Sequence, residues 1–196
     1  MPRKKSIRRS ATRFLDDVYA IDGFLRSATP HVSDDQVSWI HEYAIIRLYR
    51  EFERLVLECI VGAINNDTET ISSKMGIAFP KHLTDEVCEY LVIADRYLDF
   101  RGRDGLIRLV KRFVPDDHYL VDVMKRPRYR QSLERLSALR NLAAHSGAVA
   151  KRRAKSVLQV ERIGSAGTWL KREGRMQAIL DSMAILATDV RRRAPY

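Results

Sequence analysis

Cysteine is nearly absent: Cys59 and Cys88 are the only two in 196 residues. Both fall inside helical patterns, without metal-ligand or CxxC spacing, so no disulfide framework or structural zinc centre is expected. Two buried free thiols in a reducing cytoplasm account for them. Long apolar runs are missing too. No stretch approaches the roughly 18 apolar residues of a membrane span, and the basic N-terminus has no apolar run behind it, so a signal peptide is not expected. Proline is scarce, at 6 residues, and the 45% hydrophobic content suits a globular core, which excludes wholesale disorder. Glycine-rich phosphate loops are lacking. "RGRDG" at 101–105 has two glycines but no strand before it and no GxGxxG or Walker spacing, so it reads as a basic loop and cap. The histidines are scattered. His31, His82 and His118 fall in loops or at helix starts, and His41 lies near a helical stripe as a packing residue. Nothing joins them to a metal, and no cofactor is expected. Trp39, Trp169 and the tyrosines do not interleave with a basic strand, so they read as core or interface residues rather than a stacking platform.

Acidic residues fall short of basic ones. Thirty-five Lys and Arg stand against 25 Asp and Glu, a net charge of +10. The excess is clustered in "RKKSIRR" at 3–9, "RGRDGLIRLVKR" at 101–112, "KRPRYR" at 125–130, "KRRAK" at 151–155 and "RRR" at 191–193. Such a surface attracts polyanions and steers their approach, which points to nucleic acid. An acidic protein partner is the other reading of the same charge.

The apolar residues recur at helical spacing. Residues 1–32 read as a basic N-terminal extension with a short helix in "RFLDDVYAIDGFL", ahead of a helical domain at 33–196. "SDDQ" at 33–36 offers a capping box, with Ser33 as N-cap and Gln36 reaching back. From there Val37, Ile40, Ala44, Ile45, Leu48, Phe52, Leu55, Val56, Cys59, Ile60 and Ala63 describe one long helix. A polar connection follows, then helices through "DEVCEYLVIADRYL" and "RDGLIRLVKRF". "PDDHYLVDVMKRP" reads as loop with a turn of helix. Another helix should run from about Tyr129 to a terminating Gly147, and the last from 173 to 192. Between them, "SVLQVERI-GSAG-TWLKRE" suggests a β-hairpin near 156–172. The fold expected is all-α, a helical bundle with that small hairpin inserted before the last helix.

One helix breaks its own pattern. In "LSALRNLAAHSG" the helical turn brings Arg140 back almost onto the line of Leu133, with Leu136 on one side of it and Ala144 on the other. Arg140 therefore stands inside the apolar stripe. A buried guanidinium without a partner costs several kcal/mol, about 3–5 kcal/mol when a pair is broken. It must be paired, ligand-facing, or at a second protein surface. Glu51, Glu53 and Glu58 on the long helix are available partners. Asn141 and His145 share one flank of the stripe, four residues apart, so their side chains can touch. Ala143 and Ala144 leave room for a partner helix or a phosphate.

"RNLAAH", Arg140 to His145, resembles the Arg-x4-6-His motif of the HEPN superfamily of helical domains, where Asn commonly follows the arginine. The resemblance spans about residues 33–192, although only the six-residue motif is specific. It implies an HEPN-like bundle and, as in many members, a metal-independent endoribonuclease whose two protomers share a cleft. On that basis His145 is the proton-transfer group, Arg140 the phosphate clamp and Asn141 the orienting residue. A toxin–antitoxin or phage-defence setting is implied as well, with a possible nucleotidyltransferase-like antitoxin partner. The chemistry is sound in itself. An unperturbed histidine titrates near 6.5, guanidinium presents a two-pronged donor set to phosphate, and RNA carries its own nucleophile in the 2′-OH. About 140° and roughly 7.5 Å separate Arg140 from His145 along one helix, which favours a composite site across a two-fold homodimer. Lys151, Arg152, Arg153 and Lys155 are candidates for holding flanking RNA. A non-catalytic dimeric HEPN interaction or RNA-binding module is the alternative. A DNA-binding regulator is weaker, because no recognition helix follows the helix-turn-like "ISSKMGIAFP".

Overall fold

The computed structural model describes residues 5–93, 98, 100 and 102–195. Among these, ten α-helices and one 3-10 turn make up the regular structure, and no residue is in a strand. The all-α bundle expected from periodicity is present. The hairpin is not.

The chain enters through α1 (Ile7–Ala28), whose Phe14, Val18, Ile21 and Leu25 are buried at helical spacing. This helix packs against α2 (Asp34–Asn66) and against the last helix, α10 (Arg175–Arg193). The segment expected as an extension with a short helix thus forms a 22-residue helix whose inner face belongs to the common core. The part of the basic tail at 1–4 lies outside the described residues.

The axis of the bundle is α2. Its start is the reciprocal capping box expected: Gln36 Oε1 accepts from Ser33 N–H at 2.9 Å, and Ser33 Oγ accepts from Gln36 N–H at 3.5 Å. Its buried face, Ala44, Ile45, Leu48, Phe52, Leu55, Val56 and Cys59, meets α1, α4, α7 and α9. The connection after it contains α3 (Glu69–Met75), a helix that the polar composition hid, and then α4 (Asp85–Ile93). The rest of the helix expected through "ADRYL" falls mostly on 94–97, outside the described residues. Next come α5 (Gly102–Lys111) and α6 (Tyr119–Lys125), the latter in a segment expected to be mostly loop.

After α6, α7 (Pro127–Ala144) starts two residues earlier and ends three residues earlier than the sequence suggested. His145 is its C-cap, with extended backbone at φ −141°, and Gly147 is instead the N-cap of α8 (Ala148–Leu158). Gly147 has φ −68°, so the left-handed stop expected of it is not used.

The hairpin expected near 156–172 is replaced by helix on both sides of its turn. Ala154 and Leu158, four apart, are buried on one face, and that contact extends α8 through "SVL". The chain then turns through Gln159 at φ 56°. Ser165, read as part of the glycine turn, and Thr168, read as the start of the second strand, form a reciprocal cap on α9 (Ala166–Leu170), which buries Trp169 and Leu170. Tertiary burial overrides the β preference of these side chains. Gly167 lies against α2 so closely that a Cβ there would sit 1.9 Å from Ser38 O. Only glycine permits that crossing.

Candidate nucleic-acid cleft between α2, α7 and α8

An open cleft of about 1540 Å³ lies where α2, α7 and α8 face one another, with Ile93 of α4 and Leu98 on its wall. From α7 it takes Glu134, Arg140, Asn141 and His145, and from α8 Val149, Ala150, Arg152, Arg153, Ser156 and Val157. From α2 it takes Arg50, Glu53, Arg54 and Leu57. Five arginines against two glutamates make it cationic. Arg54 is engaged with Asp17 at 2.6 Å and Glu51 at 2.8 Å, whereas Arg50, Arg140 and Arg152 form no ion pair among the described residues.

Arg140 is half-buried, and its environment accounts for its place in the stripe. Two of the three glutamates named as partners are engaged elsewhere, Glu58 by Arg13 and Lys5 and Glu51 by Arg54, while Glu53 lines the same cleft without an ion pair to Arg140 among the described residues. Instead, the Arg140 guanidinium stacks on the ring of Tyr49 at 4.9 Å, a contact of roughly 0.5–2 kcal/mol. Tyr49 is itself held by its hydroxyl, which donates to Phe100 O at 3.2 Å. Arg140 Nη1 donates to Asn141 Oδ1 at 2.9 Å. Stacking fixes the plane of the guanidinium and Asn141 takes one donor, so the remaining N–H groups are available to an anion in the cleft.

Asn141 therefore meets Arg140 rather than His145. The expectation that Asn141 and His145 would touch assumed an uninterrupted helix. Because α7 stops at Ala144, His145 leaves helical geometry, with its backbone N–H on Asn141 O at 2.9 Å and its imidazole exposed. All three motif residues line one cleft.

The basic run 151–155 is helical and divides by face. Arg152 and Arg153 line the cleft, while Lys151 and Lys155 do not and stand about 160° from Arg153 around α8. Arg153 is positioned by Glu134 at 3.3 Å. The other carboxylate oxygen of Glu134 accepts the Arg103 backbone N–H at 2.8 Å, at the start of α5. Gly102, at φ 67°, makes room: a Cβ there would fall 2.4 Å from Glu134 Oε1. Glu134 thus ties α5, α7 and α8 together behind the cleft.

Sequence reasoning passed over Arg50 and Tyr49 as site residues. Arg50 had a signal, being on the same helical face as Leu57, seven residues on. Tyr49 had none, because only the packing of α7 on α2 places it under Arg140. Among the described residues no group of three or more His, Cys, Asp or Glu is arranged to hold a metal ion, and no helix is long and apolar enough to cross a membrane. Cys59 and Cys88 are buried free thiols, both shifted upward by burial, Cys88 to about 11. No protein-family model, curated protein or solved structure matches this chain.

Proposed function

We propose that the cleft binds RNA and cleaves it by attack of the 2′-OH on the adjacent phosphorus, as the HEPN resemblance of Arg140–His145 implies. The observation that carries this reading is the convergence in one cationic cleft of a stacked arginine, an asparagine on it, and an exposed histidine. In this scheme His145 takes the 2′-OH proton, and the 2′ oxygen bonds to phosphorus. The P–O5′ bond breaks, leaving a 2′,3′-cyclic phosphate and, once the departing oxygen is protonated, a 5′-OH. Arg140 holds the non-bridging oxygens, where negative charge builds. In a two-fold dimer, the same histidine of a second copy supplies the second proton. DNA, which lacks the nucleophile, would bind without being cut. A toxin or defence role with an antitoxin partner follows from the resemblance alone.

The test incubates wild type and H145A with total cellular RNA in excess EDTA and maps the ends. Cyclic-phosphate ends from wild type, with the rate lowered about 10²–10⁴-fold in H145A, are expected. Equal cleavage by both clears His145 of the role. Cleavage that requires added metal and leaves 5′-phosphates rejects the mechanism. Binding without cleavage favours the non-catalytic RNA-binding module, a reading to which one observation lends weight: no hydrogen bond among the described residues fixes the His145 imidazole.

A further inference from the structure

The cleft does not end at Arg50. Four and seven residues before it on α2 lie Ile46 and Tyr43, and Trp39 lies four before Tyr43, so the four share one face of the helix. Trp39 is 65% exposed, Tyr43 54% and Ile46 37%, three large apolar side chains in succession along one helix face. Trp39 and Tyr43, expected to be core or interface residues, are not core. Arginines follow towards the cleft. Arg47 Nη1 donates to Tyr43 Oη at 3.5 Å, and neither Arg47 nor Arg50 forms an ion pair among the described residues. Of the acids near this face, Glu42 accepts the Gly167 N–H at 3.1 Å, and Asp35 lies one turn before Trp39. Phe24 of α1 meets Tyr43 edge-on at 6.1 Å and steadies the ring without covering it.

We propose that this face of α2, from Trp39 through Tyr43 and Arg47 to Arg50, is a track for single-stranded RNA that feeds the cleft. The inference rests on the reading of the cleft as an RNA site and adds the form of its substrate. Bases stack on Trp39 and Tyr43, and the backbone runs along Arg47 and Arg50 towards Arg140. From residue 39 to residue 50 the helix rises about 16 Å, which gives room for two to three extended nucleotides outside the cleft. Duplex RNA keeps its bases stacked inside the helix and cannot use the aromatic part of the track. A protein-facing patch of the same size would not need arginines at the end that opens on a cationic cleft. A single-stranded polyanion does.

The experiment uses a fluorescein-labelled single strand of about ten nucleotides, fully 2′-O-methylated so that it cannot be cut. Binding is read by anisotropy in the full chain and by tryptophan emission. Because Trp169 is buried, quenching on binding reports Trp39. W39A and Y43A should each weaken binding about tenfold, while W39F keeps most of the affinity and loses the quenching. A blunt duplex of equal length should bind W39A and wild type alike. Unchanged single-strand affinity in both alanine variants overturns the track, and so does equal weakening for single strand and duplex. Sedimentation equilibrium supplies the remaining outcome. If W39A converts a dimer into a monomer that binds the strand as well as wild type, the face is a self-association surface and the proposal fails. All of these readings concern an uncleavable ligand, so they stand or fall separately from the cleavage assay with EDTA.

Discussion

The two ends of α7 handle arginine in opposite ways. At its start Arg126 and Arg128 both reach the carboxylate of Asp189 on α10, and the Tyr129 hydroxyl donates to the same oxygen at 2.5 Å. Burial pushes Asp189 up, but the hydrogen bonds from Tyr129 and Arg128 and the charge of Arg126 outweigh it, leaving the carboxyl below its usual range. Burial and Asp189 together push Tyr129 up to about 12. At the far end Arg140 has an aromatic face and an amide but no carboxylate among the described residues. The first end shares one carboxylate between its arginines and is closed on itself. The second leaves a positive charge oriented and without an ion pair among the described residues. A paired arginine fastens helices together, and one held in place but unneutralised is prepared for an anion from outside.

The largest expected effect separates the two ends. Arg140→Lys keeps the charge but loses the planar donor set, and should lower cleavage about 10²-fold. Its thermal midpoint should stay near that of wild type, read in parallel by circular dichroism. A loss of stability as large as that of an Asp189 variant would erase the distinction between the ends.

Asp189→Ala should do the reverse. Two guanidinium groups and the Tyr129 hydroxyl lose their common acceptor, at a cost of about 2–3 kcal/mol in urea unfolding. Single-strand binding at the cleft should be little altered. In wild type, the stability from Asp189 is present above the carboxyl's unfolded-state value, about 3.9, and is lost as pH falls through its lower folded value. The Ala variant should therefore show a shallower acid limb.

A smaller effect sharpens the account of α8. Arg152→Gln removes one cleft charge, and the slope of log affinity against log salt for a single strand should fall by about 0.7. Lys155→Gln, off the cleft, should change it less. Equal slopes for the two would mean that the whole basic run acts as a diffuse charge.

The smallest effect concerns a histidine that serves structure, in contrast to His145. His118 is the N-cap of α6, its Nδ1 accepting the Leu120 N–H at 3.3 Å, which requires that nitrogen to be unprotonated. Burial lowers its pKa despite the opposing charges of Asp117, Asp67 and Asp122. Its contribution is complete above the unfolded-state value, about 6.5, and is lost as pH falls through the folded value. Unfolding free energies between about pH 7 and 5 should decline by roughly 1 kcal/mol or less, and His118→Asn, a cap that does not titrate, should flatten that decline.

Much of this arrangement is written locally. The capping box at Ser33 and Gln36, the buried face of α2 and the last helix follow from side-chain spacing over a few turns, and near neighbours decide such features. Local pattern misled at 156–172, where Val157, Val160, Ile163 and Trp169 have β preference. The packing of this segment against α2, α7 and α10 selected two helices instead, because side-chain packing outweighs intrinsic preference. The polar stretch over α3 concealed a helix with one buried residue, Ile71.

The candidate site divides along the same line. The sequence alone determined that Arg140 lies within an apolar stripe, that Asn141 and His145 follow it at fixed intervals, and that the chain carries a positive excess. Covalent order and helical periodicity are enough for that. The tertiary structure decided the rest: Tyr49 under the guanidinium, Glu58 claimed by α1, Arg50 brought from α2, and only part of the basic run at 151–155 turned to the cleft. These depend on which helices meet and how each is rotated about its axis. That choice is made by the summed burial of the whole core, and no short stretch of the sequence contains it.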